Sequence, residues 1–276
     1  IIFGTIGLFS RSIAVTSGEL ALYRAILATV LIGGYFLITG KKIDFKSIKK
    51  ELWLLLLSGM AMGVNWILLF EAYNYIASGL ATTLIFLYPV LVAIIMVFLK
   101  VVPSWPVWLS IFATFIGVIV MTQSSSGEAI NPVGILLSLG SAFVYALFIV
   151  IINRSKVIAT ISNSLLTFYA LLTGSIIFLG KIMFANTGIT TGIEGYAAWG
   201  NLIGLAILPT IISTATLAIA TRNSGSTKAS VLGVFEPITA ILVGTLVFGE
   251  ALTTNIVVGI FIAIVAVTFM IITTKR

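Results

Sequence analysis

Thr227–Phe248 reads TKASVLGVFEPITAILVGTLVF, and between Lys228 and Glu250 the only charged residue is Glu236. A helix that crosses the hydrocarbon core of a bilayer needs about 20 mainly apolar residues, and this stretch meets that length. It also sets a carboxyl beside a proline near its middle. Comparable runs recur along the chain. About ten can be marked: Ile1–Ala14, Glu19–Thr39, Leu52–Ile76, Gly79–Leu99, Trp105–Thr122, Pro132–Ile152, Ser164–Ala185, Ala197–Thr221, Thr227–Phe248 and Thr253–Thr273. None shows the short alternating pattern of a membrane β-barrel. Each is long enough to pair its own backbone groups as a helix, as the bilayer interior demands. The run at Ile1 is not a cleaved signal peptide, since Ser10, Arg11 and Ser12 close it without a small-residue cleavage site.

Composition agrees. The 276 residues are 60% hydrophobic and 8% charged, with a mean hydropathy of +1.23. A soluble domain is about a quarter charged, and a core of this size would still need a polar shell. The expected class is therefore all-α integral membrane. The chain has no Cys and no His, which removes disulfides, thiolate chemistry and the commonest zinc ligands. The usual acid/base group near neutral pH is missing as well. No cofactor is expected.

Charge gives the threading. With the N-terminus in the cytoplasm, Lys41, Lys42, Lys46, Lys49, Lys50, Lys100, Arg154, Lys156, Arg222, Lys228, Lys275 and Arg276 all fall on the cytoplasmic side. The other side keeps only Arg11 and Lys181, with Glu19, Glu128, Glu194 and Glu250 nearby. This is the positive-inside bias expected for ten helices with both termini cytoplasmic. Moving one helix into or out of the count would scramble it. The net charge of +7 is thus a topology signal, with anionic lipid headgroups rather than nucleic acid as its partner. The predicted address is the cytoplasmic (plasma or inner) membrane, and a monomer is the expected form.

Five helices plus five imply halves of opposite orientation. Residues 1–123 would form the first five-helix repeat and 132–276 the second. Ser78, Ala81, Leu84 and Pro89 echo Ser226, Ala229, Leu232 and Pro237 at one constant offset, as an inverted repeat would. Such repeats recur in secondary transporters, where rocking about a central site exposes it to either side.

The ends of each half carry a family resemblance. Ala229–Pro237 is followed by Phe248–Gly249–Glu250–Ala251–Leu252–Thr253 and by Gly259; in the first half Ala72–Tyr73, Ala81–Thr82–Thr83, Tyr88–Pro89 and Gly117–Val118 stand in the same order. Arg24 adds an arginine early in the second helix. Together these resemble the EamA-type branch of the drug/metabolite transporter superfamily along essentially the whole chain. Two departures stand out: Tyr88 replaces the Glu that often precedes the first proline, and Val102 stands where Gly-Glu would recur. The resemblance implies ten transmembrane helices in two inverted five-helix repeats around a central cavity. It also implies export or uptake of metabolites, with amino acids the best-represented substrates and nucleosides, nucleotide-like cofactors and drugs among the others.

Ionisable residues inside a membrane are costly, so each is a functional hypothesis. Arg24 and Glu71 lie at similar depth toward the outer side, at 1.5 Å per helical residue. A salt bridge between them is expected, either as a lock between helices or as part of the outer wall of a site. Glu236 lies near the midplane beside Pro237, which lacks an N–H and frees a backbone carbonyl one turn earlier. It suits a cation, proton or ammonium site and is the expected coupling residue. Around these, Asn65 and Trp66 lie midway along the third helix, with Asn65 two turns from Glu71 and read as being on its side. Tyr88 is the pseudo-symmetric match of Glu236, and Tyr145 lies in the sixth helix. These seven residues form the candidate substrate site, since small-molecule pockets are aromatic with a few placed polar groups. Phe148, Phe168 and Tyr169 are further aromatic candidates. Pro209, Thr210, Ser213, Thr214 and Thr216 make the eighth helix polar, fitting either helix packing or a wet cavity.

Nothing resembles a phosphate loop or a metal-ligand run, and a membrane-embedded enzyme is not expected. A non-transporting scaffold or sensor, or an importer of nucleoside- or amine-like solutes, remains the rival reading. The favoured one is a secondary transporter of small polar metabolites, working by alternating access, exporting, and driven by protons or by the solute's own gradient.

Overall fold

The computed structural model describes residues 1–10, 12–40, 52–76, 78–122, 131–154, 161–185, 193–249 and 252–273. The Lys41–Glu51 loop lies outside the described residues, as do Arg11, Glu128, Lys156, Glu250, Lys275 and Arg276. Among the described residues every regular element is a helix, and ten rods follow one another. A 3₁₀ turn at Ile2–Thr5 leads into α1 (Ile6–Ser10), and α2 is Ser17–Thr39. Next come α3 (Leu52–Ala72), α4 in two pieces (Ser78–Ile85 and Tyr88–Phe98) and α5 (Trp105–Thr122). The second half has α6 (Pro132–Arg154) and α7 (Asn163–Ala185). It continues with α8 (Gly195–Leu205, Ala206–Ile212 and Ser213–Ser224), α9 (Ser226–Val231, Leu232–Val234 and Phe235–Phe248) and α10 (Thr254–Thr273). Seven of these helices are long and apolar enough to cross a membrane. Side chains such as Leu37, 85% exposed, and Leu246, 80% exposed, stand outward where lipid would cover them.

Local chemistry explains where the rods begin and bend. The Thr16 hydroxyl accepts from the Glu19 N–H while the Glu19 carboxylate accepts from the Thr16 N–H, a capping box that starts α2 two residues before the expected Glu19. In α8, Pro209 has no N–H to give the Leu205 carbonyl four residues earlier. The chain responds with a π-helical turn over Ala206–Ile212, and the Thr210 hydroxyl donates to that carbonyl at 2.8 Å. Thr216 likewise donates to the Ile212 carbonyl, whereas the buried Ser213 and Thr214 hydroxyls have no hydrogen-bond partner among the described residues.

Both α4 and α9 break just before a proline. α4 interrupts at Phe86–Leu87 and restarts at Tyr88, with Pro89 in the first turn. α9 tightens to 3₁₀ over Leu232–Val234 and restarts at Phe235, with Pro237 in the first turn. The first turn is where a missing N–H costs least. Tyr88 and Glu236 thus occupy equivalent places at two restarted helices, in the register read from the sequence.

Packing between the halves repeats with the roles exchanged. α3 packs on α6 and α7, and its counterpart α8 packs on α1 and α2. α4 packs on α6 as α9 packs on α1, while α2·α7, α4·α9 and α5·α10 each pair a rod with its own counterpart. That is the pattern of a twofold relation between the halves. Because each half has five helices, the second starts on the opposite face and the repeat is inverted.

The α3·α7 seam needs glycine. A Cβ on Gly63 would lie 2.9 Å from the Gly174 Cα, so the two backbones touch without side chains between them. Gly63→Leu is expected to destabilise the fold by about 1–3 kcal/mol, the usual cost of overpacking. Gly34→Ala, where an added Cβ meets nothing within 4 Å, should leave stability unchanged or slightly raised. Thermal unfolding in detergent compares the two, and equal melting of both variants would contradict this account of the seam.

Candidate functional site

The breaks in α4 and α9 meet at the centre of the molecule. The Tyr88 hydroxyl donates to the Ser230 carbonyl at 2.9 Å, tying the restart of α4 to the first piece of α9. Gly233 makes room for it, since a Cβ there would collide with the Tyr88 hydroxyl. The Tyr145 ring packs edge-on against Tyr88 at 4.8 Å between centroids, and Phe148 stacks behind Tyr145 at 6.2 Å.

Above this floor lies a partly open cavity of about 190 Å³. Arg24 from α2, Asn65 and Trp66 from α3, Tyr88 from α4, Tyr145 from α6 and Glu236 from α9 all line it. Six of the seven residues expected at the site therefore share one space. The Arg24 guanidinium lies 4.7 Å over the Trp66 ring, a cation–π contact that helps hold a charge away from water. Arg24 is only 7% exposed, and its Nε has no hydrogen-bond partner. The Glu236 carboxylate is half-buried at the cavity wall, and no described residue hydrogen-bonds it. It stands in the first turn of a helix piece, where the helix dipole favours negative charge. The Asn65 side-chain oxygen lies 2.8 Å from the Ser141 hydroxyl, which fixes Asn65 between α3 and α6.

Glu71 is a correction. It does not line the cavity and does not pair with Arg24; its carboxylate accepts from Lys181 of α7 at 2.6 Å, with both side chains more than a third exposed. The difference lies in direction around the helix. Six residues turn a helix by about 600°, which rotates Glu71 well away from Asn65 rather than onto its side. Lys181 and Glu71 thus stand at one level on adjacent helices. Arg24 faces Trp66 and the cavity instead.

Phe168 packs against Phe36 at 5.6 Å and lies outside the cavity with Tyr169 and the polar residues of α8. The cavity also has walls that were not anticipated. Met62, Leu69, Phe70 and Tyr73 extend the α3 face begun by Asn65 and Trp66, and Thr82 and Phe86 extend α4. Positions 62, 66, 69, 70 and 73 follow the spacing of one helical face, so once Trp66 was chosen this stripe was legible. Phe3, in the 3₁₀ turn before α1, and Ile6 carried no such signal. Among the described residues no group of three metal-ligating side chains occurs.

Comparison with known proteins agrees with this architecture. The model of the EamA-like transporter family matches twice, over residues 1–123 and 132–272. A protein of Archaeoglobus fulgidus named as an uncharacterized transporter is 23% identical over 269 residues, 91% of this chain and 85% of that one. The uncharacterized transporter YxxF of Bacillus subtilis is 32% identical over 95 residues, 34% of this chain and 30% of that protein. A crystal structure of 15% identity superposes over 100% of this chain and 95% of its own with a TM-score of 0.83, which shows the fold alone. With one family model recurring over each half of a ten-helix membrane protein, the chain belongs to the EamA-like transporter family.

Proposed function

We propose that the chain is a secondary transporter that exports small polar metabolites such as amino acids, bound in the central cavity and carried by alternating access. The observation that carries this is one partly open cavity presenting a guanidinium and a carboxylate that do not hydrogen-bond one another. Arg24 keeps an unpartnered Nε beside the Trp66 face, and Glu236 faces the same space. A solute carboxylate would satisfy Arg24, since charged hydrogen bonds of this kind are the strong ones. An ammonium group, or a proton when the site is empty, would satisfy Glu236. The aromatic rings around them, Trp66, Phe70, Tyr73, Tyr88 and Tyr145, suit the apolar part of a small solute.

The same reading assigns residues 1–123 and 132–276 as the two inverted repeats of one integral membrane unit. Coupling is to a proton at Glu236 or to the solute's own gradient. The threading puts the end that carries Arg154, Arg222 and Lys228 in the cytoplasm, facing anionic lipid headgroups, with the chain acting as a monomer in the cytoplasmic membrane.

A thermal-shift screen of the purified protein against amino acids, nucleosides and quaternary amines tests the solute class, because a ligand of the folded state raises the melting temperature by mass action. The expected hit is a zwitterion. Arg24→Ala should weaken it by about tenfold or more, the scale of a lost charged hydrogen bond. Binding confined to cations would remove Arg24 from the site.

Glu236→Gln in proteoliposomes should slow transport of that ligand and flatten its dependence on pH. A folded Glu236→Gln chain that kept the full pH dependence would exclude Glu236 as the coupling group. Glu71→Gln serves as the contrast. Its partner is exposed, so stability should change by less than about 1 kcal/mol, and ligand affinity should be unaltered.

A further inference from the structure

The twofold pattern of packing is not exact, and one of its departures coincides with the cavity. α6 packs along α8 and against the first piece of α9, whereas α1 makes no comparable packing with α3 or α4. Those are equivalent contacts in the two halves. The gap on the α1 side is the cavity itself, with Phe3 and Ile6 on one wall and Leu69, Tyr73 and Ile85 on the others.

On the closed side, the seam is fastened by polar bonds between helix ends. The Asn153 side-chain amide donates to the Thr221 carbonyl at 3.0 Å, joining the end of α6 to the end of α8. One Arg222 nitrogen reaches the Ile161 carbonyl at 2.9 Å and the Asn163 side-chain oxygen at 2.5 Å, joining α8 to the start of α7. At the matching ends of the first half, two described bonds from the ends of α1 and α3 run to the second half. Ser12 bonds Asn201 of α8, and Glu71 bonds Lys181 of α7.

We infer that Asn153 and Arg222 are gating residues, forming a latch with Thr221, Ile161 and Asn163 that seals one end of the transport path while the gap beside α1 leaves the other end accessible. Transport then exchanges the two arrangements. α6 parts from α8 and α9 as the latch opens, and α1 closes onto α3 and α4 over the cavity. The near-twofold relation makes the two end states close in packing, and a few hydrogen bonds suffice to bias such an equilibrium. The inference rests on the cavity being the transport site, but it assigns residues that do not line the cavity.

The chain has no cysteine, so a single reporter can be read directly. Leu69→Cys, on the cavity wall, is expected to react with a membrane-impermeant maleimide from the Tyr73 end and slowly from the Arg222 end, measured in vesicles of both orientations. Adding Asn153→Ala and Arg222→Ala should raise the ratio of Arg222-end to Tyr73-end labelling by about tenfold. An unchanged ratio in folded protein would overturn the latch. If the double variant fails to fold, Arg222→Lys, which keeps the charge but not the fork of donors, should shift the ratio in the same direction by a smaller factor. No shift there overturns the latch equally. Labelling requires no substrate, so a failed solute assignment with a shifted ratio would refute the solute and leave the gate standing.

Discussion

Inside the hydrocarbon region no water is available for an unpaired backbone carbonyl, and each such group costs several kcal/mol. This constraint shapes the whole molecule. It makes the spanning segments helical, and it makes any interruption expensive unless protein groups take up the freed carbonyls. Three rods are interrupted or deformed near a proline, and two of these sites show the replacement group directly. At Pro209 the Thr210 hydroxyl serves the stranded Leu205 carbonyl. At the α4–α9 crossing the Tyr88 hydroxyl serves the Ser230 carbonyl.

The interruptions in α4 and α9 also produce the site. Two helices that restart near mid-depth place residues at their new first turns, and there Tyr88 and Glu236 stand. The inverted repeat would make these positions alike, and the sequence makes them unlike. Tyr88 spends its hydroxyl on holding the two helices together and closes the cavity floor. Glu236 has no such bond among the described residues and keeps its carboxylate for the cavity. One member of the pair is structural and the other is left open to chemistry.

Arg24 follows the same logic from the other side. A guanidinium that is almost fully buried requires compensation, and an ion pair would be the cheapest form of it. The structure supplies an aromatic face instead and leaves one donor without a partner. The nearest exposed cation–anion pair, Glu71 with Lys181, sits apart between α3 and α7 and tightens a seam already closed by Gly63 against Gly174. Structural charge and cavity charge are therefore carried by different residues.

Length, hydropathy and the placement of Lys and Arg determined the membrane class and the ten segments. The register of the two prolines determined the opposed halves and placed Tyr88 opposite Glu236. Each of these depends on position along a helix, and a fixed rise per residue makes that readable from one strand of letters. Direction around the helix is different. A hydrophobic segment is apolar on every side, so its pattern does not reveal which face meets lipid, which meets a neighbour and which meets a cavity. Only the packing decided that Glu71 turns to Lys181, that Arg24 turns to Trp66, and that Phe3 and Ile6 complete the wall. Only the packing, too, decided that α6 meets α8 and α9 while α1 leaves a gap beside α3 and α4, because a contact between two uniformly apolar segments leaves no mark in the pattern of either.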